Sequence, residues 1–326
     1  MASIHSAAQA GDIGRLTKLL SSGADVNETT EVGQTALMLA AVVGHCGVAD
    51  LLIDRGAEVD ATEGKGQTAL MLAAGGGHRD VAELLIDRGA EINATVEKGL
   101  TALMVAAEKG HRDIAEFLID RGADVNAIVE MGLTALMFAA DTGHRDVAEL
   151  LLDSGAGVDA TDDKGLTALM FAANKGHRDL AGLLIDRGAD VNATTEMGQM
   201  ALMFAAIVGH RDVAELLIDR GADVNATVDM GLTAFMIAAD KGHRDVAELL
   251  IDRGADVNAI TDMGQTALMI AAGGGHRDVV VLLIDRGADV NAIAIQEDRT
   301  ARMFAADKGH GDLVKLLEEA ARRQDV

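Results

Sequence analysis

Hydrophobic and polar positions along this chain alternate in a pattern that returns every 33 residues. In "TALMLAAGGGHRDVAELLIDRGAEINA" the run Ala69–Ala74 is apolar on all sides, which predicts a short helix buried between neighbours. Thr68 is placed to cap its start, and Gly77 supplies the positive φ that ends it. A second helix is expected over about Asp80–Arg88. Val81, Leu84 and Leu85 form its i, i+3, i+4 stripe, Ala82 and Ile86 lie beside it, and Glu83 and Asp87 face water. Asp80 at the start and Arg88 at the end suit the helix dipole, Gly89 ends the helix, and "AEINAT" runs extended into a turn. Helices below about 12–15 residues are marginal alone, so each pair must stack on the next.

The glycine before "xTAL" recurs at Gly33, Gly66, Gly99, Gly132, Gly165, Gly198, Gly231 and Gly264, in steps of 33. "GHRDVAELLIDRGADVNA" at 209–226 is repeated letter for letter at 242–259. One extra residue enters in "NAIAIQEDRTARM", between Asn291 and Thr300. Polar residues take packed positions only at the two ends: Arg15 and Lys18 in the first unit, Arg302 and Glu318 in the last, where Ala321 also replaces the capping Gly and the helix should continue through "EEAARRQ". A repeat array needs such caps where stacking stops, so the chain is expected to be a complete array.

"GxTALMxAAxxGHxDVAELLIDRGADVNA" resembles the ankyrin repeat, whose period is 33 and whose signature opens Thr-Pro-Leu-His. The resemblance covers essentially the whole chain. It implies an all-α fold, a curved solenoid of antiparallel helix pairs with projecting β-turn loops. The implied organisation is a single domain, with residues 1–32 an N-terminal capping repeat, 33–296 eight central repeats and 297–326 a C-terminal capping repeat. The tetrapeptide here reads Thr-Ala-Leu-Met, so the histidine's polar bonds are forgone; only the first unit keeps a histidine, His5, at the matching place.

Composition narrows the function. The formal net charge is −24, which disfavours nucleic acid and anionic membranes. Most of it is a solvated face multiplied by repetition. The one cysteine, Cys46, excludes an intrachain disulfide and fits a reducing compartment. No segment approaches the roughly 20 apolar residues of a membrane span, and no leader is evident, so a cytoplasmic protein is expected, or one delivered into a host cytosol by a route without a readable signal. Nine "GH" histidines suggest a metal row, but helices about 8–10 Å apart cannot easily share a zinc ion that needs nitrogens at about 2 Å. "GGGH" at 75–78 and 273–276 lacks the Gly-Lys-Ser/Thr of a phosphate loop. Neither catalytic residues nor a cofactor is predicted, and the chain is expected to be a monomer.

The variable positions carry the remaining signal. Two residues before each "GH" change freely, among them Val42 and Val43, Glu108 and Lys109, Asp141, Lys175, Ile207 and Val208, and Asp240 and Lys241. So do the turn tips, including Val32, Lys65, Glu97-Lys98, Met131, Met197, Met230 and Met263. By the resemblance these positions line a concave groove and its fingertips, where partners bind. Flexible thioethers beside acids suit a protein or peptide with apolar and basic residues. Phe138, Phe171 and Phe204 are expected in the core. The leading function is a non-enzymatic protein-interaction scaffold. A bacterial effector or a designed consensus binder would share that physics. By the resemblance, Asn126, Asn192, Asn225, Asn258 and Asn291 could also make the chain a substrate for asparagine hydroxylation.

Overall fold

The computed structural model describes residues 3–96, 99–295 and 298–324. These form helix pairs grouped in two compact units, Met1–Asp163 and Lys164–Val326. In the first unit the pairs are Ile4–Gln9 with Ile13–Ser21, Ala36–Val43 with Cys46–Asp54, Ala69–Gly76 with Arg79–Asp87, Ala102–Lys109 with Arg112–Asp120, and Ala135–Thr142 with Arg145–Asp153. In the second they are Ala168–Lys175 with Arg178–Asp186, Ala201–Val208 with Arg211–Asp219, Ala234–Lys241 with Arg244–Asp252, Ala267–Gly274 with Arg277–Asp285, and Ala301–Asp307 with Gly311–Gln324. Within each unit a first helix packs on its own second helix and on the first helices of its neighbours. The fold is therefore all-α, and the long last helix runs through the residues expected to extend it.

Capping explains where the first helices begin. The hydroxyls of Thr35, Thr68, Thr101, Thr134, Thr167, Thr233 and Thr266 accept a hydrogen bond from the N–H of the methionine three residues on. Methionine replaces histidine here with part of its polar role intact. The Met38 sulfur accepts from the Thr35 N–H at 3.4 Å, and Met269 does the same for Thr266 at 3.5 Å. The one central repeat without this cap starts at Met200, which is buried at 4% exposure and offers no side-chain bond.

The second helix sits one residue earlier than the apolar pattern suggests, and in the third pair its buried stripe is narrower. Val81, Ala82 and Leu85 are buried, whereas Leu84 and Ile86 remain half-buried. In the fifth pair Leu151 is likewise fully buried and Leu150 partly exposed, whereas Phe117, Leu183, Leu216, Leu249 and Leu282, at the position of Leu84, are buried. Arg88 lies at the C-cap, and its guanidinium binds Asp54 of the preceding repeat at 2.8 Å as well as Asp50. Arg121 to Asp87 at 2.8 Å, Arg220 to Asp186 at 2.7 Å and Arg286 to Asp252 at 2.6 Å continue this step. These pairs are about a third or more exposed, so each contributes roughly 0–1 kcal/mol. Ser154 stands where the other central repeats carry Arg, so Asp120 has no arginine from the following repeat.

The register between repeats is marked by polar contacts from one loop to the next, most of them exposed. Asn225 Nδ2 donates to the Gly254 carbonyl at 3.2 Å, and its Oδ1 accepts from the Asp256 N–H at 3.2 Å. Asn27, Asn93, Asn126, Asn192 and Asn258 make the same pair of bonds to the next loop. Where Asp60 replaces asparagine, the accepting bond to the Glu91 N–H survives at 3.0 Å. At the end of the second unit Gln324 takes over: its amide binds the Ala288 carbonyl at 2.9 Å and accepts from the Val290 N–H at 3.0 Å. Arg302 and Glu318, both polar where central repeats are apolar, pair with each other at 3.2 Å.

Two outcomes follow in denaturant unfolding. Leu151→Ala should cost about 2–5 kcal/mol, and Leu150→Ala clearly less; equal losses would refute this assignment of faces. Asn225→Ala removes two exposed bonds whose backbone partners water can then serve, so it should cost about 0.5–1.5 kcal/mol. Asn225→Asp, keeping the acceptor, should cost less, and equal losses would show that the amide donor is the whole interaction.

Candidate partner-binding surface

Each first helix leaves one face uncovered by its neighbours. In Ala201–Val208, Ala201, Leu202, Met203, Ala205 and Ala206 are buried, while Phe204 and Ile207 are half-buried and Val208 is exposed at 42%. The i, i+3, i+4 spacing puts these three on one face. Phe138, Phe171 and Phe204, expected in the core, are half-buried on this face instead. The signal that would have placed them is their spacing: each lies three residues before the variable pair. Leu39, Leu72 and Phe138 occupy the equivalent position in the first unit, and Phe171, Phe204, Ile237, Ile270 and Phe304 in the second, as half-buried apolar rows. Val105 is the exception, buried at 6%.

The variable pairs at the helix ends differ in character along the chain. Val42 and Val43 are exposed at 41% and 40%. Glu108 and Lys109 are bonded to each other at 2.9 Å, and so are Asp240 and Lys241. Those acids therefore add little net charge to the face. Asp141 is half-buried and Lys175 exposed.

The turns before each first helix form narrow fingers. Thr227–Val228 pairs antiparallel with Leu232–Thr233, and Thr29 with Thr35 and Ile260 with Thr266 form single bridges. Met131, Met197, Met230 and Met263 stand on such tips with exposures of 61%, 58%, 59% and 38%. The tip at Glu97-Lys98 lies outside the described residues. Two turn chemistries recur, beside turns opened by Glu63 and Asp162. Where Thr opens the turn, its hydroxyl accepts from the N–H of a Gln four residues on, as in Thr195 with Gln199 and Thr261 with Gln265, each at 3.1 Å. Where Val opens it, Leu takes the Gln position and that bond is missing. Both methionines in the left-handed region, Met131 at φ 72° and Met230 at φ 68°, sit in turns of the valine kind. A non-glycine residue there costs roughly 1–2 kcal/mol.

Adjacent tips are joined through backbone. The Asp262 N–H donates to the Met230 carbonyl at 2.9 Å, and the Asp163 N–H to the Met131 carbonyl at 2.9 Å. The insertion in the last repeat extends the row: Ile295 is 77% exposed and lies against Gly264. Ile260 and Ile293, each exposed at 54%, lie in the same turn region. The extra residue thus carries apolar surface that repeat comparison did not single out.

The conserved-looking histidines are structural. The Nε2–H of His78 donates to the Val42 carbonyl at 3.0 Å, of His144 to Glu108 at 3.1 Å and of His243 to Ile207 at 3.1 Å. A Cβ at Gly44 would strike the His78 ring, which is why glycine precedes these histidines. His5 binds the Glu28 carbonyl at 2.8 Å. Among the described residues no three His, Cys, Asp or Glu side chains converge on a possible metal position. Burial, then the charges of Asp80 and Asp50, push the Cys46 thiol up, which keeps it protonated and a poor nucleophile. The loop asparagines hold two repeats together with their amides. Among the described residues no helix is long and apolar enough to cross a membrane.

Comparison with known proteins agrees with this geometry. The family described as Ankyrin repeats (3 copies) matches residues 4–96, 93–162, 154–228, 192–261 and 226–294. The chain belongs to the ankyrin-repeat family, whose members are in general protein–protein interaction modules. Among solved structures, the crystal structure of the human ASB11 ankyrin repeat domain is similar, with 28% sequence identity and a TM-score of 0.63. That likeness covers 68% of this chain and 99% of the human domain. No curated protein matches.

Backbone strain at the tips is directly testable. Met230→Gly should raise stability by up to about 1 kcal/mol, because glycine occupies φ 68° freely. Met197 is outside that region, so Met197→Gly should instead lower stability by roughly 0.5–1 kcal/mol through lost chain entropy. Loss at both positions would mean that Met230 earns its place by packing.

Proposed function

We propose that this chain is a non-enzymatic scaffold that binds a protein or peptide partner along the uncovered faces of its first helices and the adjoining turn tips. The carrying observation is the row of exposed methionines at Met197, Met230 and Met263, each preceded by an acid, on turns locked into a stacked array. Exposed thioethers adapt to varied apolar groups, and the half-buried row from Phe171 to Phe304 extends the apolar surface beside them. Glu196, Asp229 and Asp262 favour a partner with basic residues and disfavour polyanions. Met131, Ile207, Val208 and the valine pair 42–43 belong to the same class of surface. This chemistry suits a reading without cofactor, metal or catalytic group.

The test is selection of binding peptides from a random display library with the intact chain. A combined Met197→Ala, Met230→Ala and Met263→Ala variant should melt like the parent, since the tips bury little. It should bind the selected peptides at least about fivefold more weakly, equivalent to about 1 kcal/mol. Val32→Ala with Lys65→Ala, at tips of the other unit, serves as the matched control. Peptides that bind the methionine variant and the parent equally would remove the tips from the site.

A further inference from the structure

The spacing of the tips in the second unit constrains what conformation a partner can adopt. Each of three consecutive tips offers one acid and one exposed apolar side chain side by side: Glu196-Met197, Asp229-Met230 and Asp262-Met263. Ile295 lies against the third tip and supplies a fourth apolar position. The pitch of this row is set by stacking, because neighbouring turns contact through backbone. Within the row the Asp262 N–H meets the Met230 carbonyl at 2.9 Å, and at its start the Glu196 N–H meets the Lys164 carbonyl of the preceding turn at 3.3 Å. Helices packed in this way lie about 8–10 Å apart, and the turns that lead into them follow that step.

A bound segment must therefore present an apolar and a basic side chain together about every 8–10 Å. A β-strand repeats one face about every 6.6 Å and falls out of step after two tips. The tip backbones are also committed to their own hairpins and to each other, so they offer no open edge for strand addition. An α-helix needs seven residues, about 10.5 Å, to return the same face, and the residues between would meet nothing on the tips. A polyproline II segment advances about 3.1 Å per residue with three residues per turn, which is about 9.3 Å per turn. One face then meets the methionines, a second meets the acids, and the third faces solvent.

Building on the scaffold reading above, we propose that the second unit binds an extended, polyproline-II segment in the register of three residues per repeat, with an apolar residue over each of Met197, Met230, Met263 and Ile295 and a basic residue against Glu196, Asp229 and Asp262. The net charge of −24 disfavours a second copy of this chain as the occupant. Such a segment loses little conformational entropy on binding, because its backbone already populates the bound form.

The experiment uses the full chain and two labelled peptides of identical composition, read by fluorescence anisotropy. One peptide is four Leu-Lys-Pro triplets. The other places its four leucines and four lysines at alternate positions, followed by the four prolines. The triplet peptide should bind at least tenfold more tightly. Combined Met197→Ala, Met230→Ala and Met263→Ala should remove most of that advantage, and Glu196→Gln with Asp229→Asn should flatten the salt dependence of binding. Equal affinity for the two isomers, with both weakened by the methionine variant, would overturn the three-residue register while leaving the tips as the binding site. Equal affinity that is indifferent to the methionine variant, or no binding of either peptide, would also overturn the register; library peptides that still depend on the methionines would show that the broader scaffold reading survives.

Discussion

A first helix of eight residues and a second of nine have no stability of their own, so each repeat must present to its successor the surface that it accepts from its predecessor. The rest of the structure follows from this constraint. It makes the framework positions nearly identical, since a change on one side of a repeat needs a match on the next. It explains why polar bonds between repeats, such as those of Asn225 and His243, recur at the same step while bonds within a repeat are mostly helix and cap. It also explains the acidic surface. Every central second helix ends in Asp and five of the eight also carry Glu, and part of that charge is neutralised by an arginine reaching back from the following repeat, as Arg253 does to Asp219 and Glu215.

The sequence made the helix pairs and their caps legible because they depend on short-range features. Threonine before an apolar run, glycine at a positive φ and a fixed 33-residue step each have one structural meaning here. What it hid was the assignment of faces within a helix. Leu150 and Leu151 are identical in chemistry and adjacent, yet only Leu151 is fully buried, while Leu216 and Leu249, at the position of Leu150 in other repeats, are buried at 7% and 4%. Phe138, Phe171 and Phe204 misled for a related reason. An apolar residue in an all-apolar helix gives no contrast from which to read direction, so large side chains on the open face look like core. The asparagine and arginine contacts between repeats were hidden too. Their partners lie 29–38 residues away in sequence and become neighbours only when the repeats stack.

The candidate site was legible as variation against that framework, and the structure adds what variation alone cannot supply. Two variable pairs, Glu108 with Lys109 and Asp240 with Lys241, are internally neutralised. The tips keep their acids and their methionines exposed. The left-handed backbone at Met131 and Met230 is more pointed still. A glycine would relieve the conformational cost, and the following residue in each turn is already glycine. Conformational cost held at an exposed side chain with little to bury is the pattern expected of a functional position.

Rigidity and variability serve the same end in this architecture. A tip side chain is free to change because the turn beneath it is held by bonds that do not involve it, such as the Gly198 N–H to the Thr195 carbonyl at 2.9 Å. Bonds from one turn to the next, such as the Asp262 N–H to the Met230 carbonyl at 2.9 Å, relate neighbouring tips. A partner that fits one tip has the conformation and spacing needed to fit the next, so contacts that are each weak add along the row without further ordering cost. The insertion in the last repeat shows how such a row can be lengthened. It adds one residue outside the helices, keeps His310 on the Gly273 carbonyl at 3.2 Å, and leaves Ile295 exposed against Gly264 at the end of the methionine row.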